Sequence, residues 1–323
     1  MAELTGRDAI RAALEQEMAR DERVVLLGED VAPGGVFKTT PGLVDRFGAE
    51  RVWDTPISEQ AIVGSAMGAA MGGLRPVAEI MFADFYATCW DLVANEIAKT
   101  RYMTGGQVRL PLVVRGSNGG GGLGFGAQHS QSAESWAMCV PGLKIACPST
   151  PSDFKGLLAG AIREEDPVLV FEHKGLYGRT GEVPDGDHVV ALGESHTLRE
   201  GSDVTLVGLA FTVGICEAAA DQLADEGISA EVIDLRTLVP LDVAAVLRSV
   251  ATTNRLVIVE EGPGQLGWSA SLAAIVSDEG FDDLDAPVLR VCGASVPLPA
   301  AGVLEEEVNP NAQRVIAAVR RMS

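Results

Sequence analysis

Apolar strand-like runs that alternate with amphipathic helical segments predict an α/β protein built on parallel sheets, in two domains. Three observations carry this. Runs such as VVLLG (24–28), LPLVVRG (110–116) and PVLVFEH (167–173) lack the alternation of a sheet with one wet face, so both of their faces should be covered. Segments with apolar residues at helical spacing separate these runs, as crossovers between parallel strands require. The pattern pauses over residues 178–200, GRTGEVPDGDHVVALGESHTLRE, which is polar and rich in turn formers, and then restarts. A chain of 323 residues also has room for two domains of ordinary size. The expected organisation is a first domain over 1–185, a linker over 186–200 and a smaller second domain over 201–323.

In the first domain, Ile10, Ala13, Leu14 and Met18 recur at helical spacing and predict a helix over 7–20. A strand at 24–28 follows. Then come a helix at about 60–73, a strand at 76–80, a long amphipathic helix at about 84–102 and a strand at 110–116. After a glycine-rich loop, LKIACPS (143–149) reads as a strand, 152–163 as a helix and 167–173 as a strand. In the second domain, strands are expected at 203–210, 229–237, 255–262 and 287–293. Helices are expected at 213–226, 242–251, near 266–278 and at about 309–321.

Composition narrows the function classes. A net charge of -20 disfavours nucleic acid, which needs a basic face. It suits a basic protein partner, although an acidic surface also simply favours solubility. Five scattered cysteines without a C-x-x-C pair argue against a disulfide framework or a zinc site. The apolar runs are too short to span a membrane, and the charged N-terminus does not read as a signal peptide. The expected location is the cytoplasm, or an organelle matrix after loss of a transit peptide.

The chemistry-bearing block is DTPISEQAIVGSAMGAAMGGLRPVAEIMFADFY (54–86). Glu59 falls in the first turn of a helix, where an acid can serve the helix dipole or exchange a proton with a ligand. Gly64, Gly68 and Gly72 stand at four-residue spacing, each unfavourable by about 1 kcal/mol against Ala. Such a stripe lets another backbone come close, either a partner's helix or the chain's own sheet. Phe82, Phe85 and Tyr86 follow, as core or, for Phe85, as a stacking surface for a flat ligand. The loop GSNGGGGLGFGAQHSQS (116–132) holds His129, an acid/base candidate or an incidental loop histidine. The loop is neither a phosphate-binding P-loop nor a dinucleotide fingerprint.

LGEDV (27–31), DTPISEQ (54–60), GLRPVAEIMFADF (73–85), AQHSQS (127–132), PGLKIACPSTPSDFKGLL (141–158) and VIDLRTLVPLD (232–242) together resemble one family. It is the beta subunits of the thiamine-diphosphate-dependent first component of 2-oxo acid dehydrogenase complexes, which act on pyruvate, branched-chain 2-oxo acids or acetoin. The resemblance spans nearly the whole chain. It implies a transketolase-like fold, with a pyrimidine-binding domain followed by a transketolase C-terminal domain, and an α2β2 heterotetramer with thiamine diphosphate at α/β interfaces. Glu59 matches the acid that hydrogen-bonds the aminopyrimidine ring. Phe85 matches the aromatic residue beside that ring, and Glu29, in the LGEDV match, falls at a cofactor-binding position. His129 matches the histidine near the substrate and the incoming lipoyl group. Leu112, Ala161, Glu164 and Asp166 match positions whose main-chain carbonyls hold a structural potassium ion.

The superfamily's diphosphate site uses Gly-Asp-Gly and a later Asn to hold Mg²⁺. This chain has Asp185-Gly186-Asp187 instead, without a suitable Asn, so the resemblance assigns Mg²⁺ to an alpha subunit. The leading expectation is oxidative decarboxylation of pyruvate or a branched-chain 2-oxo acid, with acyl transfer to a lipoyl arm. The alternatives are acetoin cleavage and, from another class, a non-catalytic scaffold that docks the lipoyl acyltransferase core. The loop before AQHSQ is richer in glycine than the family pattern.

Overall fold

The computed structural model describes residues 1–322, which fall into two compact units. Unit one holds residues 1–118 and 136–192; unit two holds 119–135 and the chain from 193 onward. The expected division differs in two respects. The chain leaves unit one after Asn118 and returns at Trp136, so the glycine-rich loop belongs to unit two. The expected linker 186–200 is also shared out. Residues 186–192 stay on unit one, while 196–199 form a strand of the second sheet.

Unit one begins with β1 (Ala2–Thr5) and α1 (Gly6–Arg20). Thr5 caps the helix by accepting the Asp8 amide at 3.2 Å. β2 (Val24–Gly28), α2 (Leu43–Phe47), β3 (Val52–Asp54), α3 (Glu59–Met71) and β4 (Arg75–Phe82) follow. Then come α4 (Ala98–Met103), β5 (Val113–Asn118), α5 (Glu134–Met138, whose first two residues belong to unit two), β6 (Lys144–Ala146), α6 (Pro151–Arg163), β7 (Val168–His173) and β8 (Thr180–Val183). The main strands lie in the order β6-β7-β5-β4-β2-β3, all parallel, and β2, β4, β5 and β7 are almost wholly buried. That burial is why they read as continuous apolar runs. β1 and β8 pair antiparallel in a small separate sheet that the sequence did not reveal.

α1 and α6 pack together around a buried carboxylate. Glu17 is fully buried and accepts from Arg163 Nη2 at 2.7 Å and Arg20 Nε at 2.9 Å. Burial works against its charge, but these guanidiniums prevail and hold its pKa below the ordinary value. The segment after β8 is fastened to α6 as well. Val190 N–H donates to Gly156 O at 2.9 Å, and Lys155 donates to the carbonyls of Pro184 and Gly186. A Cβ on Gly160 would lie 2.4 Å from the Val190 carbonyl oxygen, so glycine is what lets this segment lie down.

The long helix expected over 84–102 is broken into three pieces: a 3-10 turn over Ala83–Thr88, a π-helical stretch over Leu92–Ile97, and α4. Lys99 Nζ takes the Ala94 carbonyl at 2.7 Å, a group that an α-helical ladder would give to Ala98. Such side-chain competition leaves no trace in hydrophobic spacing.

Unit two contains β9 (His196–Arg199), β10 (Val204–Gly208), α7 (Phe211–Asp225), β11 (Ala230–Asp234), β12 (Thr237–Val239) and α8 (Val243–Thr253). β13 (Leu256–Pro263), α9 (Trp268–Glu279), β14 (Leu289–Gly293), α10 (Gly302–Val308) and α11 (Ala312–Arg320) complete it. Its sheet runs β14-β13-β10-β11-β9, parallel except for β9 at one edge. Val204, Leu206, Val232, Val257, Val315 and Val319 belong to its core. The sequence anticipated one strand over 229–237, but β11 and β12 interrupt it at Leu235–Arg236, where Arg236 has φ +58. α10 was not anticipated. No helix among the described residues is long and apolar enough to cross a membrane.

Candidate functional site

Parallel α/β sheets place function at the carboxyl ends of their strands. Glu29 directly follows β2, and Phe85 lies in the 3-10 turn after β4. Glu59 is the first residue of α3, with Ser58 at the cap position. Its carboxylate is half-buried, and among the described residues its only hydrogen-bond donor is the Thr88 hydroxyl, 3.2 Å from Oε2. The same hydroxyl lies 2.9 Å from the Phe85 carbonyl oxygen, so it can serve either acceptor. Thr88 thus ties the acid to the aromatic turn, a link that sequence spacing did not suggest.

Glu29 and Glu59 are close enough to affect each other. Burial pushes the Glu29 carboxyl above its ordinary pKa, and the negative charges of Asp30 and Glu59 push it the same way. Burial, and then Glu59, also raise the Cys89 thiol to about 12, so this cysteine is an inert neighbour of the acid. Phe85 is half-buried and meets Phe82 edge-on, with centroids 5.6 Å apart and planes at 70°. The structure therefore brings Glu29, Glu59 and Phe85 into one neighbourhood of unit one.

Beneath it runs a charge network that sequence reasoning missed. Arg115 on β5 is fully buried and makes a two-pronged bond with Glu172 on β7, at 2.7 and 2.5 Å. It also bonds Glu79 on β4, and the Tyr177 hydroxyl adds a 2.9 Å bond to Glu172. Two carboxylates share one guanidinium. Burial raises the pKa of Glu79, and the nearby Glu172 adds to that, against the attraction of Arg115. Glu79 also lies close against its strand partner Gly28 at the end of β2, where a Cβ would come within 2.9 Å of the Glu79 Cβ. Three charged residues inside apolar strands were the available signal, because a charge there needs a partner.

His129 lies in unit two, half-buried in the 119–135 segment, with its N–H bonded to Gly126 O at 3.3 Å. The four positions matched to a potassium site lie around the turn from α6 to β7 and the approach to β5. The Leu112 carbonyl accepts from Val168 N–H at 3.0 Å, and the Ala161 carbonyl accepts from Glu164 N–H at 3.2 Å. The Glu164 carbonyl takes Arg75 Nη2 at 2.6 Å. The Asp166 carboxylate pairs with Arg101 and lies 3.6 Å from Lys144 Nζ. In the Asp185-Gly186-Asp187 segment, Asp185 is paired with the chain's amino terminus and Asp187 with Arg163.

The open side of α3 completes the site's surroundings. Ile62, Val63, Ala66 and Ala70 are buried, while Ala61, Ser65 and Gly68 are exposed. A Cβ on Gly68 would meet nothing within 4 Å, and one on Gly64 would meet only Leu92, at 3.5 Å. The chain's own sheet therefore does not account for the glycine stripe. Large exposed apolar residues lie at both ends of α3, Ile57 and Met71, and Tyr102 and Met103 are exposed at the end of α4.

Two family models match the chain, one for each half of this architecture. Residues 2–180 match the transketolase pyrimidine-binding domain, and residues 193–315 match the transketolase C-terminal domain. A solved structure described as a split-gene transketolase, inactive beta4 tetramer, superposes with a TM-score of 0.81 at 25% identity, covering 99% of this chain and 98% of that one. Together these define a transketolase-like two-domain protein. Among curated relatives, the pyruvate dehydrogenase E1 component subunit beta of Dictyostelium discoideum is 44% identical, over 99% of this chain and 91% of its own length. The acetoin:2,6-dichlorophenolindophenol oxidoreductase subunit beta of Bacillus subtilis is 45% identical, over 96% and 94%. The 2-oxoisovalerate dehydrogenase subunit beta of the same organism is 45% identical, over 98% and 97%. The chain belongs to the family of 2-oxo acid dehydrogenase E1 beta subunits.

Proposed function

We propose that this chain is the beta half of an α2β2 thiamine-diphosphate-dependent dehydrogenase that decarboxylates pyruvate or a branched-chain 2-oxo acid and passes the acyl group to a lipoyl arm. The observation that carries the proposal is Glu59, an available carboxylate at the start of a helix that leaves Ala61, Ser65 and Gly68 exposed among the described residues. Bound thiamine diphosphate would supply the carbanion chemistry. The residues fit its pyrimidine end. Glu59 would hold a proton at the ring nitrogen while Thr88 steadies its second oxygen. Phe85 offers an aromatic surface, and Glu29, whose carboxyl burial and the neighbouring acids push above its ordinary pKa, adds a second carboxyl beside Glu59. His129 would act at the substrate and lipoyl side.

The diphosphate and Mg²⁺ are proposed to be held by the alpha subunit, because Asp185-Gly186-Asp187 lacks the Gly-Asp-Gly order of the superfamily's site and no suitable Asn follows it. That subunit would cover Ala61, Ser65 and Gly68. The residues matched to a potassium site do not fit a cation well: the Glu164 carbonyl already takes the Arg75 guanidinium, whose charge opposes a second cation there. The acyltransferase core is a second proposed partner, supported by the chain's acidity. The proposed location is the cytoplasm or a mitochondrial matrix. Relatives named for pyruvate, acetoin and 2-oxoisovalerate are equally similar, so acetoin cleavage stands as the second reading of the substrate.

Calorimetry with thiamine diphosphate and Mg²⁺ tests the shared site. Binding is expected to the chain co-expressed with its alpha subunit and not to the chain alone; tight binding to the chain alone refutes the division. A substrate panel on the complex then separates decarboxylation from acetoin cleavage. In that complex Glu59→Gln is expected to lower turnover by roughly 10²–10⁴-fold, the worth of a positioned proton-transfer group. Near-normal turnover would remove Glu59 from the mechanism.

A further inference from the structure

The backbone of the loop that carries His129 is folded around two carboxylates. Gly119, Gly121, Gly122, Gly124 and Gly126 all have positive φ, between +59 and +77. Left-handed residues interspersed with others turn successive N–H groups to one side, and such a concavity binds anions. Here the anions are the protein's own. Glu305, on α10 and fully buried, accepts from Gly122 N–H at 3.1 Å through Oε1 and from Gly124 N–H at 2.9 Å through Oε2. Among the described residues, these two amides are the only donors to its carboxylate, and no basic side chain pairs with it. Glu261, on β13, accepts from Gly120 and Gly121 N–H at 3.2 and 3.0 Å through Oε1, and from the Ser132 hydroxyl at 2.9 Å through Oε2. A Cβ on Gly120 would stand 2.6 Å from Glu305 Oε1, so a side chain there would evict the carboxylate.

We propose that the run Gly119–Gly126 is a carboxylate-binding nest that the chain fills with Glu305, and that Glu305 is thereby a positioning residue for His129. The inference rests on the role given to His129 above. A stretch this rich in glycine has more conformations to lose than any other kind of segment. Four amides tied to two side chains of the C-terminal unit hold it in one of them, three residues before the histidine.

The two carboxylates are not equivalent. Gln at 305 keeps the shape but turns an NH₂ donor toward either Gly122 or Gly124 N–H, whichever way the amide is placed, so one bond is replaced by a donor–donor clash. Gln at 261 can face its NH₂ to Ser132, whose hydroxyl reverses and accepts, and both glycine amides keep their oxygen. Glu305→Gln should release the loop and Glu261→Gln should not. Glu306→Gln, at an exposed neighbour, is the control.

The test is amide hydrogen exchange on the full chain and on the assembled α2β2 complex. In Glu305→Gln, exchange over Gly120–Gly126 is expected to accelerate about 10-fold or more, with the amides of β10 unchanged as the check on global folding. Glu261→Gln and Glu306→Gln should stay within about 3-fold of the natural chain. In Glu305→Ala, added formate should refill the nest and restore protection, whereas chloride at the same concentration should not. Unchanged exchange in Glu305→Gln, or failure of formate, overturns the nest whatever His129 does.

In the complex, Glu305→Gln should lower lipoyl acylation about 10-fold or more while decarboxylation measured with an artificial acceptor changes less than about 3-fold, because a displaced acid/base group affects only the step it serves. A loosened loop with acylation intact overturns the positioning role. If His129→Ala then also leaves acylation intact, the fault lies in the reading of His129 and the nest itself stands.

Discussion

Glycines gather in two regions of this chain, and the two gatherings differ in what faces them. Along α3, Gly68 meets nothing within 4 Å, and its neighbours Ala61 and Ser65 are exposed. In the loop after β5, the amides of Gly120, Gly121, Gly122 and Gly124 face carboxylates of Glu261 and Glu305. The loop's glycines are explained inside the chain, by left-handed backbone and by the approach of a side chain. Within the helix, Gly68 carries ordinary helical backbone, and among the described residues nothing near it accounts for a glycine there. Glycine in a helix interior is unfavourable by about 1 kcal/mol against Ala, so an uncovered glycine at this position fits the contact proposed above with the alpha subunit.

Substitutions can break this contrast. The largest effect is expected from Gly68→Leu, which fills the open space on the face proposed to meet the alpha subunit. Association with the alpha subunit should weaken by about 100-fold or more, while the melting temperature of the chain alone stays within about 2 °C. A large fall in the chain's own stability would mean that the helix face is used internally. Gly120→Ala should behave in the opposite way, with a loss of about 2 kcal/mol in denaturant unfolding and no change in association, because its Cβ strikes Glu305. Gly122→Ala separates backbone from contact. Its φ is +77 with open space around the Cβ position, so a loss of about 1 kcal/mol is expected from conformation alone.

The smallest effect concerns a buried carboxylate held differently. Amides meet the carboxylate of Glu305, whereas Glu79 shares Arg115 with Glu172. The Glu79 pKa is raised in the folded state, so above about pH 4.3 the folded chain binds more proton at this site than the unfolded chain, and its contribution to stability falls as pH rises. Glu79→Gln lacks that loss. It should equal the natural chain or exceed it by less than about 1 kcal/mol near pH 8, with the advantage shrinking toward pH 4. A variant that is clearly less stable near pH 8 than near pH 4, relative to the natural chain, would show that Glu79 is held ionised.

The two α/β domains were legible because parallel strands buried on both faces must be written as apolar runs, and β2, β4, β5 and β7 are so written. Glu59 and Phe85 were legible as a pair because DTPISEQ and FADFY bracket one helix and one strand. The Thr88 bridge between them was not, since hydroxyls seldom announce their partners. The break of the 84–102 helix into 3-10, π and α pieces was hidden for a similar reason, because Lys99 competes for a backbone carbonyl without altering the apolar spacing. β1, β8 and β9 escaped notice because short, half-exposed strands carry little periodicity.

Composition and pattern alone determined the fold class, the alternation of strands and helices, and the block around Glu59. All of these are local or nearly local properties, fixed by which residues can be buried and at what spacing. Only the tertiary structure decided that the glycine loop belongs with the second unit, that Glu305 and Glu261 fill it, and that Arg115 is shared by Glu79 and Glu172. Those pairings join residues 36 to 183 positions apart. No local spacing encodes them, because a buried charge is satisfied by whatever the fold brings within hydrogen-bond reach.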